Sequence, residues 1–208
     1  MSSGQHGDED DALFANYNGF VRKVDAHTTR VASRHAAQMR CARGCTACCR
    51  QDLSVSRVEA ERILLWLERH GVPERDDAHG PHDAHALFFA LAGPRACSFL
   101  APGGACGIYP VRPIICRTHG FPIQLSDSTR DTCPLNFATD GALEQVPAED
   151  VIQLPLLNKT LALIERLHIQ AVDEDSGRFL LSDLRRMAED LLDAPDDNGG
   201  GHEGGDEL

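Results

Sequence analysis

The stretch that decides the fold is CARGCTACC, residues 41–49, which holds four of the chain's eight cysteines. The other four follow at wider intervals, and the complete set is Cys41, Cys45, Cys48, Cys49, Cys97, Cys106, Cys116 and Cys133. The N-terminal residues show no positively charged stretch followed by an apolar run, so we expect no secretory signal and predict a cytoplasmic location. In that reducing compartment, clustered thiols more often bind metal than form disulfides. We therefore predict a metal centre built from these eight cysteines.

The preference of sulfur ligands points to zinc or iron but does not decide between the two. Thiolate is a soft ligand that suits zinc and iron, including iron in a 4Fe-4S type cluster. A tetrahedral zinc ion and such a cluster each use about four protein sulfurs. Eight cysteines therefore fill two sites, or one site with spare thiols. Both sulfurs of Cys45-x2-Cys48 can reach one ion, whereas the adjacent Cys48 and Cys49 share a centre only if the chain turns there.

Three other interpretations of the cysteines stay open at this stage. Each could be a small buried hydrophobic side chain, because free cysteine is often buried. The even number permits a disulfide framework, although the predicted compartment argues against it. Cys116 and His119 could form a nucleophile and base pair, but no local pattern marks an activated thiol. His119 could also complete a Cys3His site, and we expect it to be a surface residue.

Nearby cations and a tyrosine could tune such a centre. A zinc ion held by four thiolates carries a net charge of −2, so a neighbouring positive charge stabilises it. Tyr109 could donate its hydroxyl to a thiolate or simply pack. Four arginines lie within a few residues of cysteines: Arg43, Arg50, Arg112 and Arg117. Of these, Arg112 and Arg117 are the better candidates for a cation that stabilises the centre.

A group of histidines outside the cysteine pattern could form a second metal patch of harder donors. These are His79, His82 and His85, which have three aspartates nearby. Gly80-Pro81 interrupts the helical geometry that would bring the rings together. We therefore predict a solvated loop at this position.

Around the cysteines the hydrophobic period predicts helices. An amphipathic helix is expected over 12–40. Ser56 and Glu59 have the spacing of a capping box, so a second helix begins there and stops at Gly71 and Pro73. Further helices are predicted over 83–92, 151–172 and 182–192. Residues 93–134 show no sustained period, so we expect metal binding to organise them.

These elements predict a mainly α-helical protein with a small, irregular, cysteine-rich metal-binding core flanked by helices. We expect one domain over 12–193, containing the metal-binding region 41–133 and C-terminal helices over 150–193. The ends, 1–11 and 194–208, are acidic and polar, and we expect them to be disordered.

The charge of the chain excludes one large class of partner. Its net charge is −12, but residues 1–11 carry −4 and residues 193–208 carry −6, so residues 12–192 carry about −2. A nearly neutral domain offers no basic surface for nucleic-acid phosphates. No stretch approaches the ~20 apolar residues of a membrane-spanning helix. The predicted partner is a metal ion, and a protein partner stays open.

Four segments together resemble one known family. They are CARGCTACC (41–49), CSFL (97–100), CGIYPVRPIICR (106–117) and DTC (131–133). This order is similar to the YkgJ-like cysteine-cluster proteins, a zinc- or iron-chelating family with a CxxCxxCC signature. The spacing Cys41-x3-Cys45 departs from the x2 of the family. The resemblance implies metal chelation by Cys45, Cys48, Cys49, Cys97, Cys106 and Cys116, with Cys41 and Cys133 as additional members.

Three functional hypotheses follow. The first is a metal-binding protein whose centre is structural or serves metal handling. The second is an iron–sulfur enzyme of redox or protein methyl-transfer chemistry, since some proteins with this signature are associated with protein lysine methylation. The third is a zinc-stabilised interaction module that presents the C-terminal helices to a partner. The sequence identifies no catalytic residue, and whether the protein is an enzyme stays open.

Overall fold

The computed structural model describes residues 12–41, 44–75 and 96–193. Helices make up most of the regular structure in these ranges, which confirms the mainly α prediction at that level. Several predictions lie outside the described residues: the disordered ends, the 83–92 helix, the patch of His79, His82 and His85, and a role for Arg43. The described helices are α1 (Ala15–Arg34), α2 (Arg57–His70), α3 (Ile114–Thr118), α4 (Leu154–Val172) and α5 (Leu181–Asp193).

Short strands tie distant parts of the chain together. Strand β1 (Ser54–Ser56) pairs antiparallel with β7 (Arg178–Leu180), so the segment before α2 lies beside the segment before α5. Strands β2 (Leu100–Ala101) and β3 (Ala105–Cys106) form a hairpin, whose turn contains Gly103 and Gly104. Strand β4 (Ile123–Gln124) lies between antiparallel β5 (Arg130–Asp131) and parallel β6 (Ile152–Gln153).

Helix α2 is the centre of the fold, and its ends match the sequence prediction. The Glu59 carboxylate accepts hydrogen bonds from the Ser56 backbone N–H (3.1 Å) and from the Ser56 hydroxyl (2.9 Å). The capping box is therefore present. Gly71 follows the last helical residue with a φ of +77°, a conformation that glycine adopts without steric cost.

Two apolar clusters pack against opposite sides of α2. The first cluster joins α2 to α5 and to the β2–β3 hairpin, and Cys97 and Cys106 pack against its edge. The second cluster joins α2 to α1, α3 and α4. The buried members of the first are Val55, Ala60, Ile63, Leu67, Phe99, Ile108, Val111, Leu181, Leu184 and Ala188. Those of the second are Phe14, Tyr17, Val24, Val58, Ile114 and Ile164.

Two predicted helices are shorter in the structure. Helix α1 ends at Arg34, because Met39 packs against a third cluster, around Phe137, instead of extending the helical face. The Phe137 backbone N–H also donates to the Gln38 carbonyl (2.9 Å). Helix α4 begins at Leu154, because the two residues before it form β6. None of the described helices has the length and apolar character needed to cross a bilayer.

Candidate metal centre

The cysteines lie on several separate elements. Cys48 and Cys49 belong to a single 3-10 turn, Cys97 precedes β2, Cys106 lies in β3, and Cys116 lies in α3. The Cys97 backbone N–H donates to the Cys49 carbonyl (2.7 Å), which joins the first cysteine segment to the second. All eight cysteines are free thiols in this structure. Cys41 is exposed and the other seven are half-buried. No cysteine is fully buried, which disfavours a purely hydrophobic role for them.

Five of the thiols share one electrostatic environment, and we call Cys48, Cys49, Cys97, Cys106 and Cys116 the five-thiol group. Burial raises the pKa of Cys116 to about 12, and the charges of Cys97, Cys106 and Cys48 add to the shift. Burial also raises the pKa of Cys97 to about 11, with Cys106 and Cys48 contributing in the same direction. The charges of these thiols therefore act on one another's ionisation.

The thiols of the adjacent pair Cys48 and Cys49 contact one another. The hydrogen bond between the two thiols, followed by burial, raises the pKa of Cys48. The same hydrogen bond lowers the pKa of Cys49, against the effects of burial and the other thiols of the group. The 3-10 turn Ala47–Cys49 accounts for this contact, because an extended chain would direct the two side chains to opposite sides.

The two candidate arginines have different roles. The positive charge of Arg112 acts to lower the pKa of Cys48, Cys106 and Cys116, opposing the larger effects that raise them. Its guanidinium lies over the ring of Tyr109, 4.0 Å from the centroid. The buried Nε of Arg112 has no hydrogen-bond partner among the described residues. Arg112 is therefore a cation whose charge acts on three thiols of the five-thiol group.

Arg117, in contrast, is buried and engaged in other contacts. One guanidinium nitrogen donates to both carboxylate oxygens of Asp25, at 2.9 and 2.7 Å. Its other two nitrogens donate to the carbonyls of Arg112 and Pro110, each at 2.7 Å. Arg117 therefore braces the loop that carries Arg112 and joins that loop to α1.

The remaining thiols, Cys41, Cys45 and Cys133, form what we call the three-thiol group. Burial raises the pKa of Cys41, and the charges of Cys133, Cys45 and Cys48 contribute in the same direction. The charge of Cys48, a member of the five-thiol group, therefore acts on the three-thiol group as well. Cys41 is also very close to Gly120, because a Cβ added to that glycine would lie 2.8 Å from the Cys41 Sγ and 3.8 Å from the Cys133 Cβ.

The donor set fits a soft metal by its chemistry. It provides thiols in two adjoining groups with a cation beside one of them, as thiolate–metal centres require. Within residues 12–41, 44–75 and 96–193, however, no three His, Cys, Asp or Glu side chains are arranged so that they could hold a metal ion as they stand.

Glu59 positions the helix that carries Cys116, a role that the sequence did not reveal. Besides capping α2, this carboxylate, only 3% exposed, accepts a hydrogen bond from the Ile114 backbone N–H at 2.9 Å. Ile114 is the first residue of α3, so one carboxylate caps two helices. Glu165 of α4 similarly accepts from the backbone N–H groups of Arg57 and Val58, both at 2.9 Å. No local pattern marks either contact, because the partners are far apart in sequence.

The other candidates from the sequence lie at the surface. His119 is exposed. Tyr109 is 58% exposed, and its ring serves as the platform for Arg112. Arg50 is exposed and lines an open cavity of about 260 Å³ together with Thr46 and Leu100.

Residues 40–134 match the model of the CxxCxxCC family, whose description is "Putative zinc- or iron-chelating domain". The match covers just under half of the 208-residue chain and includes all eight cysteines. It confirms the family resemblance over this region and supports the general prediction of metal binding. No curated protein and no solved structure shows significant similarity to the chain.

Proposed function

We propose that the chain is a cytoplasmic metal-binding protein that holds zinc or iron through its cysteines, in a centre that is structural or serves metal handling. Two observations carry the proposal. The Cys97 backbone N–H donates to the Cys49 carbonyl, and the charges of other thiols and of Arg112 act on the ionisation of Cys116. The proposed ligands are drawn from Cys41, Cys45, Cys48, Cys49, Cys97, Cys106, Cys116 and Cys133.

The protonation of the thiols agrees with this role. Burial and mutual repulsion keep the proton on Cys97 and Cys116 in the metal-free protein, because both effects disfavour the thiolate. A soft metal ion displaces those protons, so binding releases protons and strengthens as the pH rises. Several thiolates around one divalent ion leave excess negative charge, which Arg112 offsets.

Elemental analysis of anaerobically purified full-length protein, with a visible spectrum of the same sample, tests the proposal. We expect one or two equivalents of zinc or iron per chain. A Cys116→Ser variant should lose metal, whereas Ile115→Ser, an exposed neighbour on α3, should retain it. A folded, metal-free wild-type protein would contradict the proposal.

An iron–sulfur enzyme is the second candidate, and one observation favours it. The open cavity lined by Thr46 and Arg50, which are close in sequence to Cys48 and Cys49, offers space for a small substrate. Iron with an equal amount of acid-labile sulfide and a brown colour would support this function. Colourless protein with zinc would support the structural or metal-handling role.

An interaction module is the third candidate, because the outer helices expose apolar side chains. Leu156, Leu163 and Leu167 of α4 are exposed, as are Leu191 and Leu192 of α5. Exposed apolar surface of this kind is typical of protein–protein contacts. Light scattering of the metal-loaded protein tests whether these surfaces bind a second copy of the chain. A protein that stays monomeric at all concentrations would show that any partner is a different molecule.

A further inference from the structure

Asn136 is a buried amide whose hydrogen-bonding atoms are all engaged. It is 1% exposed, and its Oδ1 accepts from the Arg40 backbone N–H at 2.7 Å. Its Nδ2 donates to the Gly120 carbonyl at 2.6 Å and to the Cys41 Sγ at 3.2 Å. The side chain therefore joins the end of the N-terminal segment to the loop after α3, with a sulfur between them.

The partners of Asn136 determine which way its amide points. A backbone N–H can only donate and a carbonyl can only accept, so Arg40 must face the oxygen and Gly120 must face the nitrogen. The group that faces Cys41 is consequently an N–H donor. A sulfur accepts such a bond best as a thiolate, because hydrogen bonds to an ionised acceptor are the stronger ones. A cysteine that binds a metal does so as the thiolate, so this N–H donor favours the form of Cys41 that binds metal.

The backbone around Asn136 is shaped for this contact. Gly120 has a φ of +88°, and a Cβ there would lie 2.8 Å from the Cys41 Sγ and 3.1 Å from the Asn136 Nδ2. Phe137 adopts a φ of +49°, which is uncommon for a residue other than glycine. In a residue other than glycine, such a conformation persists only where the surrounding contacts impose it. The Thr132 hydroxyl donates a hydrogen bond to the same Gly120 carbonyl at 2.9 Å.

We propose that Asn136 is a positioning residue of the metal centre, which holds the Cys41 sulfur beside Gly120 and Cys133 and thereby sets how tightly the three-thiol group retains metal. The inference rests on the metal-binding function proposed above. It assigns Cys41 to the ligand set in spite of its x3 spacing from Cys45, because a buried amide is directed at its sulfur.

The test compares Asn136→Asp with Thr132→Val in the full-length protein. Asn136→Asp has the same size and retains an oxygen for Arg40, but it turns an acceptor toward the sulfur. Thr132→Val removes a hydrogen bond to the same loop and leaves the Asn136 amide in place. Zinc affinity is measured by competition with a chromophoric chelator under anaerobic conditions. We expect Asn136→Asp to bind zinc about tenfold more weakly, as is usual when the partner of a metal ligand is lost, and Thr132→Val to bind like the wild type.

A second pair of variants separates positioning from a general structural role. If Asn136 acts through Cys41, Asn136→Asp adds no further loss of affinity in a Cys41→Ser background. A full additional loss there, or an equal loss in Thr132→Val, would overturn the proposal. Should the Asn136→Asp chain fail to fold, Asn136→Ser takes its place with the same expected results. Wild-type affinity in the Asn136 variants contradicts this inference alone, whereas a wild-type chain that binds no metal contradicts the proposed function as well.

Discussion

The helices and the middle segment, residues 96–137, are held in place by different interactions. Between α2 and α5 the contact is apolar, and Ile63, Leu67 and Leu184 are completely buried there. Apolar burial of this kind is non-directional and scales with area, so many sequences satisfy it. The helical part of the molecule is accordingly stable through the sum of many similar contacts.

The middle segment has apolar anchors such as Phe99 and Ile108, but its strands are only two residues long. Its course is determined by single polar contacts with distant residues: Glu59 to Ile114, Asp25 to Arg117, and Asn136 to Cys41. Each contact is directional, so each can be lost through one substitution. Directional polar contacts therefore position the middle segment, whereas buried apolar area holds the helices together.

The largest effect is expected from a cavity in the helical part. Leu184→Ala should lower the free energy of unfolding by about 2–5 kcal/mol, because this side chain is completely buried between α5 and α2. Leu191→Ala on the same helix, at a residue 69% exposed, is the matched control and should change stability by less than about 0.5 kcal/mol. Denaturant titration measures both. Metal content per folded chain should stay the same, and its loss would show that the two regions do not differ as described.

A smaller effect is expected where the two regions meet at Glu59. Glu59→Gln keeps one carbonyl acceptor and replaces the other oxygen by a donor, so either Ser56 or Ile114 loses its partner. The cost should be about 1–3 kcal/mol, the usual penalty for an unpaired buried group. Glu68→Gln, an exposed position on α2, is the control.

Hydrogen exchange locates the damage in the Glu59 variant. The amides of α3 should exchange faster, whereas those of α5 should keep their protection. Equal loss of protection in both helices would mean that α3 is not held separately from the apolar clusters.

A third prediction concerns the charge at the five-thiol group. Arg112→Gln should weaken metal binding by about tenfold with little change in metal-free stability, because Arg112 offsets the charge of the thiolates. Arg112→Lys keeps the positive charge and should recover much of the affinity. Chelator competition distinguishes them, and identical affinities for Gln and wild type would refute the role of the charge.

The smallest expected effect is the loss of stability at acidic pH that arises at Asp150, which lies between the end of α1 and β6. Burial alone would raise the pKa of Asp150, but hydrogen bonds from His35 and Arg34 hold it below its ordinary value. The unfolded chain therefore binds the proton more readily, so this contribution is present above about pH 4 and is lost as the pH falls further. Asp150→Asn should be less stable than wild type at neutral pH, and the gap should narrow between pH 4 and pH 2. Asp140→Asn, at an exposed position, is the control for this titration.

The sequence predicts best what depends on neighbouring residues. Ser56, Glu59 and Gly71 mark both ends of α2 because caps and stops are local patterns. The spacing of the cysteines likewise indicates soft-metal chemistry, and the family match over 40–134 agrees with it.

What the sequence could not predict depends on contacts between distant residues. The first helix is predicted to reach residue 40 because Met39 fits the apolar spacing of a helix. That spacing does not show whether Met39 lies on a helical face or packs against Phe137, as it does in the structure. The second bond of Glu59, to a residue 55 positions away, has no local signal. Arg112 and Arg117 have the same sequence context beside cysteines, and only the position of Asp25 on α1 shows which of them is a brace.

The pairing of β1 with β7 closes a long loop at its base, since Ser54 and Arg178 meet although they are 124 residues apart in sequence. The entropy lost on closing a loop grows only with the logarithm of its length, so doubling the enclosed chain would cost about 0.6 kcal/mol. Insertions and deletions between the cysteine segments of this loop therefore cost little free energy as long as β1 and β7 stay paired. Selection on this fold should accordingly tolerate variable spacing between cysteine segments and act instead on the few residues that close the loop and bind across it.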